Sequence, residues 1–146
     1  MLDCDIEYMG TIHKGENLRI SYIPQDTSFL EGSLRSFILK YHLDESLFKS
    51  ILRKLDFERT QFDKNMSGFS EGQKKKVFIA KSLCESAHLY VWDEPLNYID
   101  IYSRRQIENL IEEYSPTMLI VEHDIVFEKR IATKIVDLSE GRWGDY

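Results

Sequence analysis

Two acidic residues, Asp93 and Glu94, directly follow an apolar stretch, residues 89–92, that has the composition of a buried strand. Carboxylate oxygens at such a position suit the binding of Mg²⁺ and the activation of a water molecule. The carboxyl ends of parallel strands also line the crevice in which α/β proteins bind ligands. Because an acidic pair can equally mark the end of any strand, the neighbouring motifs decide between the two interpretations.

A polar turn lies twenty residues earlier in the chain. Ser70, Glu71, Gly72 and Gln73 stand at the predicted start of a helix that runs to about Ser86. A serine hydroxyl and unpaired backbone N–H groups at the positive end of a helix dipole are typical of a phosphate-binding turn. The turn and the acidic pair together indicate half of a nucleotide site.

Gln25 and His123 also stand just beyond predicted strands, after residues 18–23 and 117–121. A glutamine side-chain oxygen can reach a metal ion, and an imidazole can donate a hydrogen bond to a phosphate oxygen. Each is an ordinary turn or surface residue when taken alone. Their order along the chain relative to Asp93 and Glu94 supports a functional role for both residues.

Strands and helices alternate over the second half of the chain. Apolar periodicity predicts helices over residues 71–86, 101–114 and 124–130, and strands over residues 89–92, 117–121 and 133–138. This order predicts βαβ units, and therefore an α/β fold with a parallel sheet flanked by helices.

The first half of the chain is not predicted to alternate strands and helices in this way. A period of two over residues 10–25 indicates strands in a β-hairpin. Two helices follow, with Ser33 and Asp44 as their N-caps, and residues 56–67 are predicted to form a loop or a short helix.

The composition restricts the class of protein. A chain of 146 residues can bury roughly two thirds of its unfolded surface in one domain. The formal charge of −6 argues against a free-standing nucleic-acid binder, since phosphate contact needs a concentrated basic surface. Cys4 and Cys84 show neither a zinc-binding pattern nor a disulfide framework. The sequence has no signal-peptide pattern and no apolar run of the ~20 residues that cross a bilayer, so we expect a cytoplasmic protein.

Taken together, the motifs resemble those of the ABC ATPases, a family with a P-loop NTPase-like fold. Residues 69–77 resemble the ABC signature motif, and residues 89–94 resemble Walker B. Pro95, Asn97 and Asp100 continue in the pattern of the ABC-F subfamily, the soluble branch associated with translation. The chain looks most like the second cassette of ABC-F ribosomal protection proteins of the Lsa and Vga type.

This resemblance implies ATP and Mg²⁺ as cofactors, with ATP hydrolysis coupled to ribosome binding and antibiotic resistance in the full-length family. The implied catalytic residues are Glu94, His123 and Gln25: Glu94 would polarise the attacking water and His123 would contact the γ-phosphate. Asp93 and Gln25 would reach the metal ion. The implied nucleotide-binding residues are Ser70, Gly72, Gln73 and Asp100. Asp100 would couple facing nucleotide sites, although an ordinary N-cap role is an alternative.

The resemblance also implies partners. These are a second ABC cassette, in the same or another molecule, and the ribosome with its rRNA. The three lysines at positions 74–76 could contact rRNA, but we favour a solvated helix face. Glu71 stands where most relatives carry glycine, and its carboxylate would repel a nearby γ-phosphate while favouring the helix dipole.

The sequence contains no Gly-x-x-x-x-Gly-Lys-[Ser/Thr] motif. Gly10 and Gly15 have the correct spacing, but Glu16 and Asn17 stand where phosphate binding needs a lysine and a hydroxyl. The resemblance places the P-loop before Met1. We therefore expect a cassette that is incomplete at its N-terminus, lacks Walker A and is inactive alone, with weak or absent ATP binding.

Under this interpretation residues 1–146 form a partial nucleotide-binding domain. Its parts are a hairpin and Q-loop over residues 1–32, a helical subdomain and signature helix over 33–86, and a core with Walker B, D-loop and switch histidine over 87–146. Two alternatives remain open. One is the ATP-binding subunit of an ABC membrane transporter, and the other is a non-catalytic interaction fragment that supplies the signature face in trans.

Overall fold

The computed structural model describes residues 10, 11, 13 and 15–137. Its elements, in chain order, are β1 (Ile20–Ile23), α1 (Leu34–Lys40), α2 (Glu45–Lys54), α3 (Glu71–Cys84), β2 (Leu89–Asp93), α4 (Ile101–Tyr114), β3 (Met118–Val121) and α5 (Ile125–Ile131). Two short 3₁₀ helices, Arg59–Gln61 and Met66–Gly68, lie between α2 and α3. Within the described residues, each helix is too short or too polar to cross a lipid bilayer.

The three strands form one parallel sheet in the order β1, β2, β3. Ile23 lies opposite Trp92, and Trp92 lies opposite Ile120 on its other side. Because all three strands point the same way, the residues that follow them emerge at one edge of the sheet. The predicted α/β fold with a parallel sheet flanked by helices is confirmed.

A buried serine joins the sheet to α3. The hydroxyl oxygens of Ser21 on β1 and Ser82 on α3 are 2.7 Å apart, and the indole N–H of Trp92 donates to Ser82 Oγ at 2.8 Å. These contacts satisfy polar groups that would be costly to bury without partners. Ser82 therefore connects both β1 and β2 to the helix that covers them.

Local sequence signals determine where the helices begin in the helical segment, the part of the chain between β1 and α3 that contains α1 and α2. Ser33 Oγ accepts a hydrogen bond from the Ser36 N–H, and the Asp44 carboxylate accepts one from the Leu47 N–H, so both predicted N-caps are confirmed. The residues that face the core from α1 and α2 are Leu34, Phe37, Ile38, Phe48, Ile51 and Leu52. The polar stretch before α3 contains the two 3₁₀ helices, which agrees with the prediction of a loop or short helix.

The two ends of the helical segment lie next to each other. Ser33 and Asn65 form an antiparallel bridge, and the Met66 N–H donates to the Gly32 carbonyl at 2.8 Å. The Gly32 N–H donates to Asn65 Oδ1 at 3.0 Å. The two ends of the segment are thus joined. The division into residues 1–32, 33–86 and 87–146 stays a prediction.

Two predicted strand features differ from the structure. Over the described positions between residues 10 and 25, β1 is the only strand, and its partner is the parallel β2 rather than a neighbour in sequence. Residues 133–137 form no strand, and Ile135 and Val136 are exposed. Residues 1–9, 12, 14 and 138 lie outside the described part. The hairpin and the last strand are therefore wrong for the described residues, because alternation shows that a segment can form a strand but not which partner it finds.

The lysines at positions 74–76 are buried rather than solvated. Lys74 pairs with Glu71 at 3.2 Å, Lys76 pairs with Asp100 at 2.7 Å, and Lys75 is bonded to backbone carbonyls. Their predicted role as a solvated helix face is wrong, and burial equally removes them as an rRNA contact. The reason is that α3 packs against both α2 and β1, so the start of the helix is covered on several sides.

Candidate functional site

The three residues predicted to be catalytic meet at the carboxyl edge of the sheet. Gln25 follows β1, Glu94 follows β2 and His123 follows β3. Gln25 Nε2 donates a hydrogen bond to Glu94 Oε2 at 2.9 Å, and His123 Nε2 lies 3.6 Å from Glu94 Oε1. The parallel strand order thus brings together side chains that are far apart in sequence.

Glu94 stands at the centre of this group in a strained conformation. Its φ of 44° lies in the left-handed region, which is unfavourable for a residue with a Cβ. Its N–H donates to the Val121 carbonyl at 2.9 Å, and its carboxylate also accepts from Asn97 Nδ2 at 2.5 Å. Strain of this kind persists only where surrounding contacts hold it, and it is concentrated at functional sites.

Asp93 is the last residue of β2 and lies opposite Val121. Its position next to Glu94 at the carboxyl edge agrees with the predicted location. Its backbone carbonyl accepts a hydrogen bond from Lys75 Nζ at 3.3 Å, and the same ammonium group donates to the Pro24 carbonyl at 2.9 Å. A lysine on α3 therefore lies directly beneath the acidic pair.

Lys75 was missed by the sequence reasoning. Its side chain is only 1% exposed, and this burial lowers the pKa of the Lys75 ammonium group, while the nearby carboxylates of Asp93 and Glu94 oppose the shift. Helical spacing was the signal that could have found it. Lys75 lies four and seven residues before Ile79 and Ser82, which are both buried.

The segment around His123 is held by its acidic neighbour. The His123 N–H donates to Glu122 Oε1 at 2.9 Å, and Glu122 Oε2 accepts from the Leu96 N–H at 3.3 Å. Glu122 thereby joins the residues that follow β3 to those that follow β2. The His123 side chain itself is 82% exposed, so its imidazole is accessible to a ligand.

The turn at the start of α3 forms a reciprocal cap. Ser70 Oγ accepts from the Gln73 N–H at 3.3 Å, and Gln73 Oε1 accepts from the Ser70 N–H at 2.9 Å. A Cβ atom at Gly72 would lie 2.3 Å from the carbonyl oxygen of Tyr98, so only glycine fits there without a shift of the backbone. The turn is therefore packed against the segment that follows Glu94.

Asp100 serves as the N-cap of α4, the alternative role given above. Its Oδ1 accepts from the Ser103 N–H at 2.8 Å, and its Oδ2 lies 2.7 Å from Lys76 Nζ. Burial acts to raise the pKa of Asp100, but the hydrogen bonds from Lys76 and Ser103 outweigh it and hold the pKa well below its ordinary value. The role of Asp100 in coupling nucleotide sites stays a prediction.

The turn at Ser70 approaches the group around Glu94 through the close contact of Gly72 with Tyr98. Among the contacts of the described residues, no hydrogen bond or ion pair joins Ser70 or Gln73 to the group around Glu94. Glu71 pairs with Lys74 at 3.2 Å and accepts from Thr27 Oγ1 at 3.4 Å. Its negative charge is therefore partly countered within the chain, which weakens the expected repulsion of a phosphate.

The side chains at the carboxyl edge fit the chemistry of Mg²⁺. Asp93 and Glu94 offer carboxylate oxygens and Gln25 offers an amide oxygen, and these are the hard donors that this ion prefers. No cluster of three or more His, Cys, Asp or Glu side chains in the described part of the chain could hold a metal ion. The oxygen donors of Asp93, Glu94 and Gln25 fit a Mg²⁺ ion that takes its remaining ligands from phosphate and water.

Comparison with known proteins places these observations in a family. A sequence profile described as "ABC transporter" matches residues 3–97. The chain is 33% identical to ABC transporter F family member 2 of Arabidopsis thaliana over 98 residues, covering 67% of this chain and 14% of that protein. It is 32% identical to the ribosome protection protein VmlR of Bacillus subtilis over 94 residues, covering 64% of this chain and 17% of that protein.

A solved structure shows the same fold. It is the crystal structure of the complex of archaeal ribosomal stalk protein aP1 and archaeal ribosome recycling factor aABCE1, which matches with a TM-score of 0.66 and 26% identity over 84% of this chain and 25% of that chain. The chain therefore spans between 14% and 25% of the length of these three proteins. From the profile match and the shared fold, we conclude that this chain belongs to the ABC transporter family.

Proposed function

We propose that the chain is an ABC-F cassette that binds ATP with Mg²⁺ and hydrolyses it together with a second cassette, in a cytoplasmic protein that acts on the ribosome. The observation that carries this proposal is the convergence of Gln25, Glu94 and His123 at one edge of the sheet. Support for the ABC-F assignment comes from Asn97 and Asp100 in the sequence and from the relatives named for the F family and for ribosome protection.

Within this site each side chain has a distinct role. Glu94 polarises the attacking water, with its carboxylate oriented by the amide groups of Gln25 and Asn97. His123 donates a hydrogen bond to the γ-phosphate. Asp93 and Gln25 hold Mg²⁺, which when bound neutralises charge on the phosphate oxygens. The Gln25 amide can serve both partners because its nitrogen donates to Glu94 while its oxygen remains an acceptor.

The start of α3 serves a second nucleotide. Ser70, Gly72 and Gln73 contact the phosphates of an ATP molecule held by the opposite cassette, and Asp100 couples the two sites. The capped helix start, with its dipole and its serine hydroxyl, supports this assignment. Residues 69–97 resemble the Lsa and Vga proteins, so we propose antibiotic resistance as the process that the full-length protein serves.

These 146 residues contain no Walker A motif, so they do not themselves supply a P-loop to the proposed site. The main phosphate-binding loop contributes much of the affinity for a nucleotide. We therefore expect the chain alone to show no saturable ATP binding below millimolar concentration. Calorimetry that gave micromolar affinity would contradict this part of the proposal.

An NMR titration of the 146-residue chain with millimolar Mg²⁺-ATP tests the site around Glu94. The resonances of the Gln25 side-chain amide, the Glu94 backbone and His123 should shift, and they should shift less with Mg²⁺ alone or with ATP in EDTA. Asp93→Asn should abolish the Mg²⁺-dependent response, whereas Glu113→Gln, an exposed change on α4, should preserve it. Shifts confined to other residues would exclude the proposed site.

A mixing experiment tests the turn at Ser70. The chain is added to the Bacillus subtilis ribosome protection protein whose own signature serines have been replaced, and ATP hydrolysis is measured. The rate should rise with the unaltered chain and with the exposed control Ser86→Arg, but not with Ser70→Arg.

The well-formed cap of α3 also favours a second candidate function, a non-catalytic partner that supplies only the signature face. The two experiments separate the candidates. Stimulation in the mixing experiment without any response of Gln25 or His123 to Mg²⁺-ATP indicates the non-catalytic partner. A chain that gives neither response is neither of the two.

A further inference from the structure

Lys75 occupies the point where the ladder between β1 and β2 ends. The last paired residues of these strands are Ile23 and Trp92. Pro24 follows Ile23 and has no N–H with which to continue the ladder. Instead, Lys75 Nζ donates to the carbonyl of Pro24 at 2.9 Å and to the carbonyl of Asp93 at 3.3 Å.

We propose that Lys75 is a positioning residue whose ammonium group fixes the separation of Gln25 and Glu94 from beneath the sheet edge. The two carbonyls it binds belong to the residues immediately before Gln25 and Glu94. This inference rests on the proposed function only because Gln25 and Glu94 belong to the proposed catalytic site.

The surroundings of Lys75 support this role over simple space filling. Burying an amine is costly unless its donors are satisfied, and a charged donor makes stronger hydrogen bonds than a neutral one. The negative charges that act on the ammonium group belong to Asp93, Glu94, Glu122 and Asp26, while its hydrogen bonds go to backbone carbonyls. A methionine of similar length would fill the same space but would bind neither carbonyl.

Lys81 provides a matched control on the same helix. It is also largely buried, and it pairs with Glu85 at 2.6 Å near the opposite end of α3. Lys75→Met and Lys81→Met each remove a buried ammonium group from α3, but only the first removes bonds to the sheet edge. A difference between the two variants therefore reports on position and not on the loss of a buried charge.

Hydrogen exchange of the 146-residue chain tests the proposal without any nucleotide. Lys75→Met should raise backbone exchange in residues 25–30 and 94–98 about tenfold or more relative to Lys81→Met, because two charge-assisted hydrogen bonds are lost. The Gln25 side-chain amide should also lose the distinct resonance that its bond to Glu94 produces. Equal exchange in the two variants, with the Gln25 resonance unchanged, would overturn the proposal.

A measurement on the unaltered chain covers the case in which Lys75→Met does not fold. NMR of ¹⁵N-lysine should detect a slowly exchanging ammonium signal for Lys75 with scalar couplings to the carbonyl carbons of Pro24 and Asp93. A Lys75 ammonium group that exchanges as fast as that of the exposed Lys49 would contradict the proposal. If the chain shows no response to Mg²⁺-ATP, the proposed function fails. The hydrogen-exchange and ¹⁵N-lysine measurements use no nucleotide and still decide the role of Lys75.

Discussion

The side-chain amide of Gln25 donates a hydrogen bond of 2.9 Å to the carboxylate of Glu94 across 69 residues of sequence. The contact forms because β1 and β2 are parallel neighbours and both residues follow the carboxyl ends of their strands. The site is therefore a product of topology, and the whole helical segment is inserted between two residues that touch.

The backbone of Glu94 gives a prediction that separates stability from function. Its φ of 44° favours glycine, so Glu94→Gly should be more stable to urea than Glu94→Ala by about 1 kcal/mol. Both variants lack the carboxylate, so neither should support the proposed chemistry. At Glu85, where φ is −81°, the order should reverse, with alanine the more stable. Equal stability of the two Glu94 variants would show that the backbone is not strained there.

Gly72 gives a prediction about the contact between the signature turn and Tyr98. Gly72→Ala places a methyl group 2.3 Å from a backbone oxygen, so it should destabilise the chain by about 1–3 kcal/mol in urea unfolding. Gly68→Ala is the matched control, since a Cβ there meets nothing within 4 Å. If both variants unfold at the same urea concentration, the close approach at Gly72 is absent in solution.

Asp100 gives a prediction about pH. Its pKa in the folded chain lies below that in the unfolded chain, so the unfolded state binds more protons in acid and stability rises with pH in that range. The ionised Asp100 carboxylate therefore stabilises the folded chain above about pH 4, and this stabilisation is lost as the pH falls toward the pKa of Asp100 in the folded chain. Asp100→Asn should flatten this loss, whereas Asp63→Asn, on an exposed loop, should leave it unchanged.

The Asp100 effect should also respond to salt. The side chain is 48% exposed, so solvent screens its pairing with Lys76. Urea unfolding at neutral and acid pH, at low and high salt, measures both effects. An Asp100→Asn variant with the same acid dependence as the unaltered chain would exclude the Lys76 pairing as its source.

Cys84 gives a prediction about reactivity. Burial, with smaller effects from Asp44 and Glu85, raises the pKa of the Cys84 thiol to about 12. Because the thiolate is the reactive form, alkylation by iodoacetamide at pH 8 should be roughly a thousandfold slower in the folded chain than in urea. A Cys4→Ser variant isolates the signal, and mass spectrometry measures it. Rapid labelling of the folded chain would contradict the raised pKa of this partly buried thiol.

Short-range signals made much of the fold predictable. Ser33 and Asp44 accept hydrogen bonds from the helix starts that follow them, and each was predicted from its own side chain and the periodicity after it. Asp100 takes the N-cap role that was its alternative assignment. The parallel sheet followed from the alternation of strands and helices. The positions of Asp93, Glu94 and His123 at the ends of predicted parallel strands indicated that they share one edge, whereas the wrong hairpin prediction for residues 10–25 did not place Gln25 beside them.

Tertiary contacts account for what the sequence could not show. Ser21 is buried because Ser82 and Glu85 reach it from α3, and nothing in the alternation around it reveals those partners. The sequence does not distinguish Lys75 from Lys74 and Lys76, because its bonds to the Pro24 and Asp93 carbonyls depend on the tertiary structure. The left-handed backbone at Glu94, whose carboxylate accepts from Asn97, is a conformation that a glutamate does not predict.

The bridge between Ser33 and Asn65 also bears on how such domains can diversify. Because its entrance and exit are tied together, this segment can change in length at its outer side without moving the strands that it connects. A foreign helical insert between these two positions would still have to reproduce the apolar face by which α2 packs against α3, so only its outer face is free to vary.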